Sequence, residues 1–278
     1  MGCNWVTPAE LGVGEEGLRG RCFAGSLIRV YPDTDDTVAL DKLHSATVNL
    51  RMLVYQLAEL GLPIEPFWRT EGGLAFDLTS SITTGKPVVI GHANGVVTID
   101  LAETMDAYRE RLRVRLGEPY RTMLGHFRHE VGHYYQNVLI ENGEGAARYL
   151  DECREIFGDE RASYQDAINR HYKFGAPENW HESFISEYAT MHPWEDFAET
   201  FAHVLHIRDA LETAHETGLS VDPQLATRDF GDVVLGTWVP LSAALNQMNR
   251  SLGHGDLYPF VLPPAVVDKL SWVDALLR

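Results

Sequence analysis

Residues 125–135 read GHFRHEVGHYY and contain one HExxH motif, formed by His129, Glu130 and His133. The apolar pattern between residues 119 and 140 predicts that this motif lies on a helix. Four residues advance an α-helix by about 400° and about 6 Å, so the two imidazoles project from one face, close enough to share a metal. Neutral imidazoles suit Zn²⁺, and Glu130 points beside that face, where it reaches the water that the metal activates. The motif therefore predicts one catalytic zinc ion with Glu130 as the general base.

A catalytic zinc needs a third protein ligand besides the two histidines. The position six residues beyond His133 is Leu139, which cannot ligate a metal and so excludes the metzincin arrangement. A second helix, predicted to begin at Pro193, places Glu195 and Glu199 on one face. We expect Glu195 to bind the metal and Glu199 to accept a hydrogen bond from the free ring N–H of a ligand histidine. The exchange of these two roles stays open.

Three further histidines lie near the predicted site in sequence. His126 precedes His129 by three residues, so it is either an accessory ligand or substrate contact on the same face, or a partly buried polar neighbour. His203 and His206 follow Glu199 on the second helix. They are alternative third ligands, but they lie two to three turns from Glu195 and face partly different directions.

The rest of the chain predicts an α+β fold that is mostly helical. Residues 1–37 are rich in Gly, Pro and Asp and form a loop-rich N-terminal segment, while residues 38–278 form the main domain. A long amphipathic helix runs from residue 37 to residue 60. A small sheet is expected near residues 72–100, and almost everything after residue 101 has a helical pattern. The sheet comprises three short strands, at 74–78, 87–90 and 95–99, with a turn signal at 92–95.

Composition and charge limit the function classes. The 278 residues carry 40 acidic and 23 basic side chains, a net charge of -17, which argues against nucleic-acid binding. No apolar run is long enough for a membrane span, and the first residues lack the regions of a signal peptide, so we expect a soluble cytoplasmic protein. The three cysteines are too few and too scattered for a disulfide framework. No feature decides the oligomeric state.

The sequence also resembles known peptidases. The HExxH helix followed by a Glu-bearing helix is similar to the gluzincin metallopeptidases, and Tyr188, seven residues before Glu195, matches the spacing in the catalytic domain of the anthrax lethal factor type. Most of the chain resembles a bacterial zinc-binding metallopeptidase family whose members usually carry an N-terminal zinc ribbon. The segments that carry this resemblance are GEPYRTMLGHFRHEVGHYY, FGDERASY, HPWEDFAETFAHVLHI and NRSLGHGDLYPFVL.

This resemblance implies a zincin-like domain that hydrolyses peptide bonds in a peptide or protein substrate. His129, His133 and Glu195 would be the zinc ligands and Glu130 the catalytic residue. Tyr188 would stabilise the transition state by donating a hydrogen bond to the oxyanion, whereas helical spacing alone favours a core tyrosine. Two other functions stay open, a non-catalytic zinc-binding or interaction protein and a zinc hydrolase that acts on another amide or ester.

The chain departs from the family pattern at its beginning. Cys3 and Cys22 match remnants of the ribbon, and Gly25 stands where a partner cysteine is expected. Two thiolates do not complete a structural zinc site, so we expect a truncated or degenerate ribbon.

Overall fold

The computed structural model describes residues 21–81, 88, 90–104, 122–143, 146–219 and 228–278. These residues are mostly helical and include a four-stranded sheet, as the α+β prediction requires. They fall into two compact units. The first comprises the described residues up to 104 together with 122–130, and the second comprises those from 131 to 278. Within the described ranges, none of the helices is both long and apolar enough to cross a lipid bilayer.

The first unit begins with two short elements and a long helix. Helix α1 (Phe23–Ser26) and strand β1 (Ile28–Val30) occupy part of the segment that we expected to be loop-rich. Helix α2 (Thr37–Glu59) confirms the helix predicted over 37–60. The Asp36 carboxylate caps α2 by accepting a hydrogen bond from the Ala39 backbone N–H at 2.8 Å.

The sheet has the strand order β1-β2-β4-β3. Strand β2 pairs in parallel with both β1 and β4, while β3 and β4 form an antiparallel hairpin. The strands predicted at 74–78 and 95–99 are confirmed as β2 and β4, each shifted by one residue. The three strands that follow α2 are β2 (Ala75–Thr79), β3 (Gly91–Ala93) and β4 (Val96–Asp100).

The third predicted strand, at 87–90, is misplaced along the chain. Residues 87 and 89 lie outside the described residues, and 88 and 90 are not in a strand. The hairpin turn explains the position of β3, because Asn94 and Gly95 both have positive φ, 50° and 82°, as a two-residue type I′ turn requires. Gly95 also has no room for a side chain, since an added Cβ would lie 2.1 Å from the Gly72 carbonyl oxygen.

Helix α3 (Met123–Tyr135) carries the HExxH motif, and the boundary between the two units falls within it, after Glu130. In the first unit, Phe127 of α3 packs edge-to-face against Phe76 of β2, with ring centroids 5.7 Å apart. The buried Arg128 donates two hydrogen bonds to Gln56 Oε1 of α2, at 3.1 and 2.8 Å. These contacts fix the first half of α3 against the sheet and α2.

The second unit contains the second half of α3 and, among the described residues, six further α-helices. Tyr135 at the end of α3 stacks on Phe201 with ring centroids 5.6 Å apart. An added Cβ on Gly132 would lie 3.0 Å from Ala198 Cα, so glycine permits α3 to approach the helix that carries Ala198 closely. The remaining helices are α4 (Ala146–Phe157), α5 (Tyr164–Phe174), α6 (Pro193–Glu216), α7 (Phe230–Val233), α8 (Val239–Ser251) and α9 (Pro264–Leu276).

Candidate metal centre

Two helices bring three metal-binding side chains together. His129 and His133 lie one turn apart on α3, and Glu195 lies in the first turn of α6. The ligand atoms of these three residues all lie within 4.8 Å of one another. His129 and Glu195 are buried, whereas His133 is partly exposed. The structure therefore brings together the three residues that were predicted from the sequence to be ligands.

The residues that begin α6 place Glu195 in the first turn of this helix. As the sequence predicts, α6 begins at Pro193, and His192 caps it by accepting a hydrogen bond at Nδ1 from the Trp194 backbone N–H at 3.1 Å. The first turn of a helix carries partial positive charge, which favours an ionised carboxylate there. Glu195 is 2 % exposed, so this favourable position offsets part of the cost of burying its charge.

The donor set and its spacing fit a zinc ion. Two imidazoles and one carboxylate are the protein ligands of a common catalytic zinc arrangement. His133 Nε2 and Glu195 Oε2 lie 3.4 Å apart. Ligand bonds of about 2.0–2.1 Å in a tetrahedral arrangement put neighbouring ligand atoms roughly 3.3–3.4 Å apart. The separation of this pair therefore matches that of two ligands of one zinc ion.

Tyr164 is a contact of Glu195 that the sequence reasoning did not identify. Its hydroxyl donates a hydrogen bond to Glu195 Oε1 at 2.6 Å, while Oε2 is the oxygen near His133. Tyr164 ends the FGDERASY segment and lies 31 residues before Glu195. No local spacing rule connects residues so far apart in the sequence. The one signal for Tyr164 was the resemblance of the FGDERASY segment to the family.

Glu130 is buried and directly follows the ligand residue His129 along α3. His126 lies one turn before Glu130 on α3, and its Nε2 is 3.3 Å from Glu130 Oε1. Both side chains are largely buried. The structure thus places His126 against the general-base candidate, and the three-residue ligand group does not include it.

Glu199 contacts the segment that carries Tyr188. Glu199 Oε2 accepts a hydrogen bond from the Ser186 hydroxyl at 2.7 Å, and the same hydroxyl accepts one from the Ala189 backbone N–H at 3.1 Å. Tyr188 begins the 3₁₀ turn Tyr188–Thr190. Glu199 is therefore linked to this turn through Ser186, while the expected bond from Glu199 to a ligand histidine and the catalytic role of Tyr188 stay predictions.

The alternative ligands His203 and His206 are not part of the ligand group. His203 is buried, with Nδ1 2.7 Å from the Tyr258 hydroxyl and its ring 4.4 Å from that of Phe260. The His206 ring packs against His203 at 5.8 Å. These contacts account for both residues as part of an aromatic cluster further along α6.

A buried ion pair fixes the residue next to Glu195. Lys269 of α9 donates hydrogen bonds to Asp196 Oδ2 at 2.6 Å and to the Ser183 carbonyl oxygen at 2.7 Å. Burial raises the pKa of Asp196 to about 7, and the Lys269 ammonium opposes that rise. This pair links α9 both to the first turn of α6 and to the segment that leads to Tyr188.

The cysteines give no second metal group in the described part of the chain. Cys3 lies outside the described residues, and the Cys22 thiol accepts a hydrogen bond from the Gly25 backbone N–H at 3.4 Å. Cys153 is buried, and burial raises the pKa of its thiol to about 12, as expected of an inert cysteine. Among the described residues, the group able to hold a metal contains no cysteine.

Comparison with known proteins identifies the family. A family model described as "Putative zinc-binding metallo-peptidase" matches residues 39–276. Uncharacterized proteins from Mycobacterium bovis and from two strains of Mycobacterium tuberculosis are each 47% identical to this chain over 283 residues, which cover 98% of this chain and 78% of the relative. No solved structure matches. The chain belongs to the family described as putative zinc-binding metallo-peptidases.

Proposed function

We propose that this protein is a gluzincin-like zinc metallopeptidase with a zincin-like catalytic domain. One observation carries the proposal: the two imidazoles of an HExxH helix and a carboxylate from a separate helix have their ligand atoms within 4.8 Å of one another. The buried Glu130 lies on the same helix and directly follows the first histidine in the sequence. Family membership supports zinc as the metal.

His129, His133 and Glu195 would hold the zinc. When bound, zinc acidifies water and polarises the carbonyl of the scissile bond. Among the residues that the structure describes, the group holds three protein ligands, which leaves a position open for water and substrate as in catalytic zinc sites, whereas structural sites are closed by four protein ligands. This ligand count favours an enzyme over a non-catalytic zinc-binding protein.

Glu130 performs the proton transfers. Its carboxylate accepts a proton from the attacking water and then delivers that proton to the nitrogen of the leaving amine. Tyr188 donates a hydrogen bond to the oxyanion that forms on the substrate carbonyl. Ser186 and Glu199 hold the turn on which Tyr188 lies.

Product mapping tests this function. Zinc-loaded protein is incubated with a proteome-derived peptide mixture, and new termini are identified by mass spectrometry. We expect cleavage products from the wild type, and none from His133→Ala or from protein treated with a chelator, because both lack the metal. Esters and non-peptide amides are tested as substrates in parallel, to detect a hydrolase that acts on other bonds. Cleavage of those compounds but not of peptides, or equal cleavage by His133→Ala, would contradict a zinc peptidase.

A further inference from the structure

We propose that Tyr164 is a positioning residue for Glu195, which it orients so that one carboxylate oxygen is presented to the metal. This inference rests on the proposed function, because it assigns Tyr164 a role toward the same zinc. It concerns a residue that contacts a ligand and not the reacting atoms. Three features of the second unit support it.

The two oxygens of Glu195 have different partners. Oε1 accepts the Tyr164 hydroxyl at 2.6 Å, and Oε2 lies 3.4 Å from His133 Nε2. A hydroxyl bonded to a carboxylate at this distance makes a strong, charge-assisted hydrogen bond. Because Glu195 is 2 % exposed, little water competes for Oε1. The bond therefore selects the orientation in which Oε2 faces the other ligands.

His192 holds Tyr164 in place. Its Nδ1 accepts the Trp194 backbone N–H, so the ring proton resides on Nε2, which donates to the Ala162 carbonyl oxygen at 3.0 Å. The Tyr164 ring packs edge-on against the His192 ring, with centroids 5.2 Å apart, and lies 5.7 Å from that of Trp194. One imidazole thus caps α6 and fixes the chain two residues before Tyr164.

The loop before Tyr164 is fixed to α4 as well. Arg154 of α4 donates to Glu160 Oε2 through Nε at 2.9 Å and to Oε1 through Nη2 at 2.5 Å. This guanidinium lowers the pKa of Glu160, so the carboxylate stays ionised. A loop held from both α4 and α6 keeps the phenol at a defined distance from Glu195, as a positioning role requires.

The part of helix α5 that follows Tyr164 contributes little to the placement of the Tyr164 hydroxyl. Every residue of α5 is exposed or only partly buried, and Tyr172, near its far end, is 69 % exposed. Tyr172→Phe is therefore a matched control, since it removes the same hydroxyl from the same helix far from Glu195. Tyr164→Phe keeps the ring that packs on His192 and Trp194 and removes the hydroxyl alone.

The test measures zinc affinity by competition with a chromogenic chelator for the wild type, Tyr164→Phe and Tyr172→Phe. Loss of an outer-shell hydrogen bond costs about 10- to 100-fold in metal affinity, so we expect that increase in zinc Kd for Tyr164→Phe and no change for Tyr172→Phe. The visible spectrum of the cobalt-substituted protein should change for Tyr164→Phe alone, because it reports the ligand geometry. Circular dichroism of the metal-free variants checks that both are folded.

Equal zinc Kd values and cobalt spectra for the two variants would overturn the role of Tyr164. A wild type that binds no zinc would overturn both this role and the proposed function. If the wild type binds zinc but cleaves no peptide, the peptidase proposal fails by itself. The comparison of the two variants then still decides the role of Tyr164, because it does not depend on activity.

Discussion

Glu130→Gln is expected to lower kcat/KM for peptide hydrolysis by about 10²- to 10⁴-fold while the protein keeps its zinc. Glutamine has nearly the same shape as glutamate and still offers an oxygen to His126, whose Nε2 lies 3.3 Å from Glu130 Oε1 in the native protein. The amide cannot accept the proton of the attacking water or deliver one to the leaving amine. Both proton transfers therefore fail without a change in the metal ligands.

The experiment measures hydrolysis and zinc content on the same samples. Glu155→Gln is the matched control, since Glu155 is an exposed glutamate on α4 and the same chemical change should leave activity unaltered. Full activity of the Glu130→Gln protein would contradict a mechanism in which Glu130 is the general base. Loss of zinc together with activity would show that Glu130 is a ligand and not the base.

Lys269→Ala is expected to lower the free energy of unfolding by about 3–5 kcal/mol, because the buried Asp196 must then either keep its charge without a cation or take up a proton. The side chains of Lys269 and Asp196 are 8% and 1% exposed. Asp196 Oδ1 has no hydrogen-bond partner among the described residues, so the ammonium on Oδ2 is the main compensation for this charge. Urea unfolding followed by circular dichroism measures the loss.

Two further variants separate the charge from packing. In Lys269→Met with Asp196→Asn, both charges are removed and the apolar stem remains, so we expect most of the stability to return. Lys42→Ala removes a cation from an exposed ion pair with Asp41 and should cost at most about 1 kcal/mol. If Lys269→Ala is no less stable than Lys42→Ala, the buried pair does not stabilise the second unit.

The helices that carry the site were predictable because their signals are local. Helix α2 has an Asp cap and apolar residues at helical spacing, and α6 begins at a proline that the sequence pattern identifies. The HExxH spacing and the paired glutamates of α6 depend only on the geometry of a single helix. Two of the three predicted strands were also found, each within one residue, since alternation and a turn signal are local features too.

The remaining features depend on contacts between distant residues. Strand β1 has three residues, too few to establish alternation, and its parallel pairing with β2 needs no turn that could be recognised in the sequence. Ser186 meets Glu199 across 13 residues, and Tyr164 meets Glu195 across 31. Such contacts exist only once the helices have packed, and for this reason sequence reasoning missed them.

X-ray absorption at the zinc edge of the zinc-loaded protein identifies the atoms that bind the metal. We expect one zinc per chain with nitrogen and oxygen neighbours at about 2.0–2.1 Å and a signal from two imidazoles. His133→Ala should lose the metal. Sulfur neighbours at about 2.3 Å would instead place the zinc on cysteine thiolates and contradict a centre built from His129, His133 and Glu195.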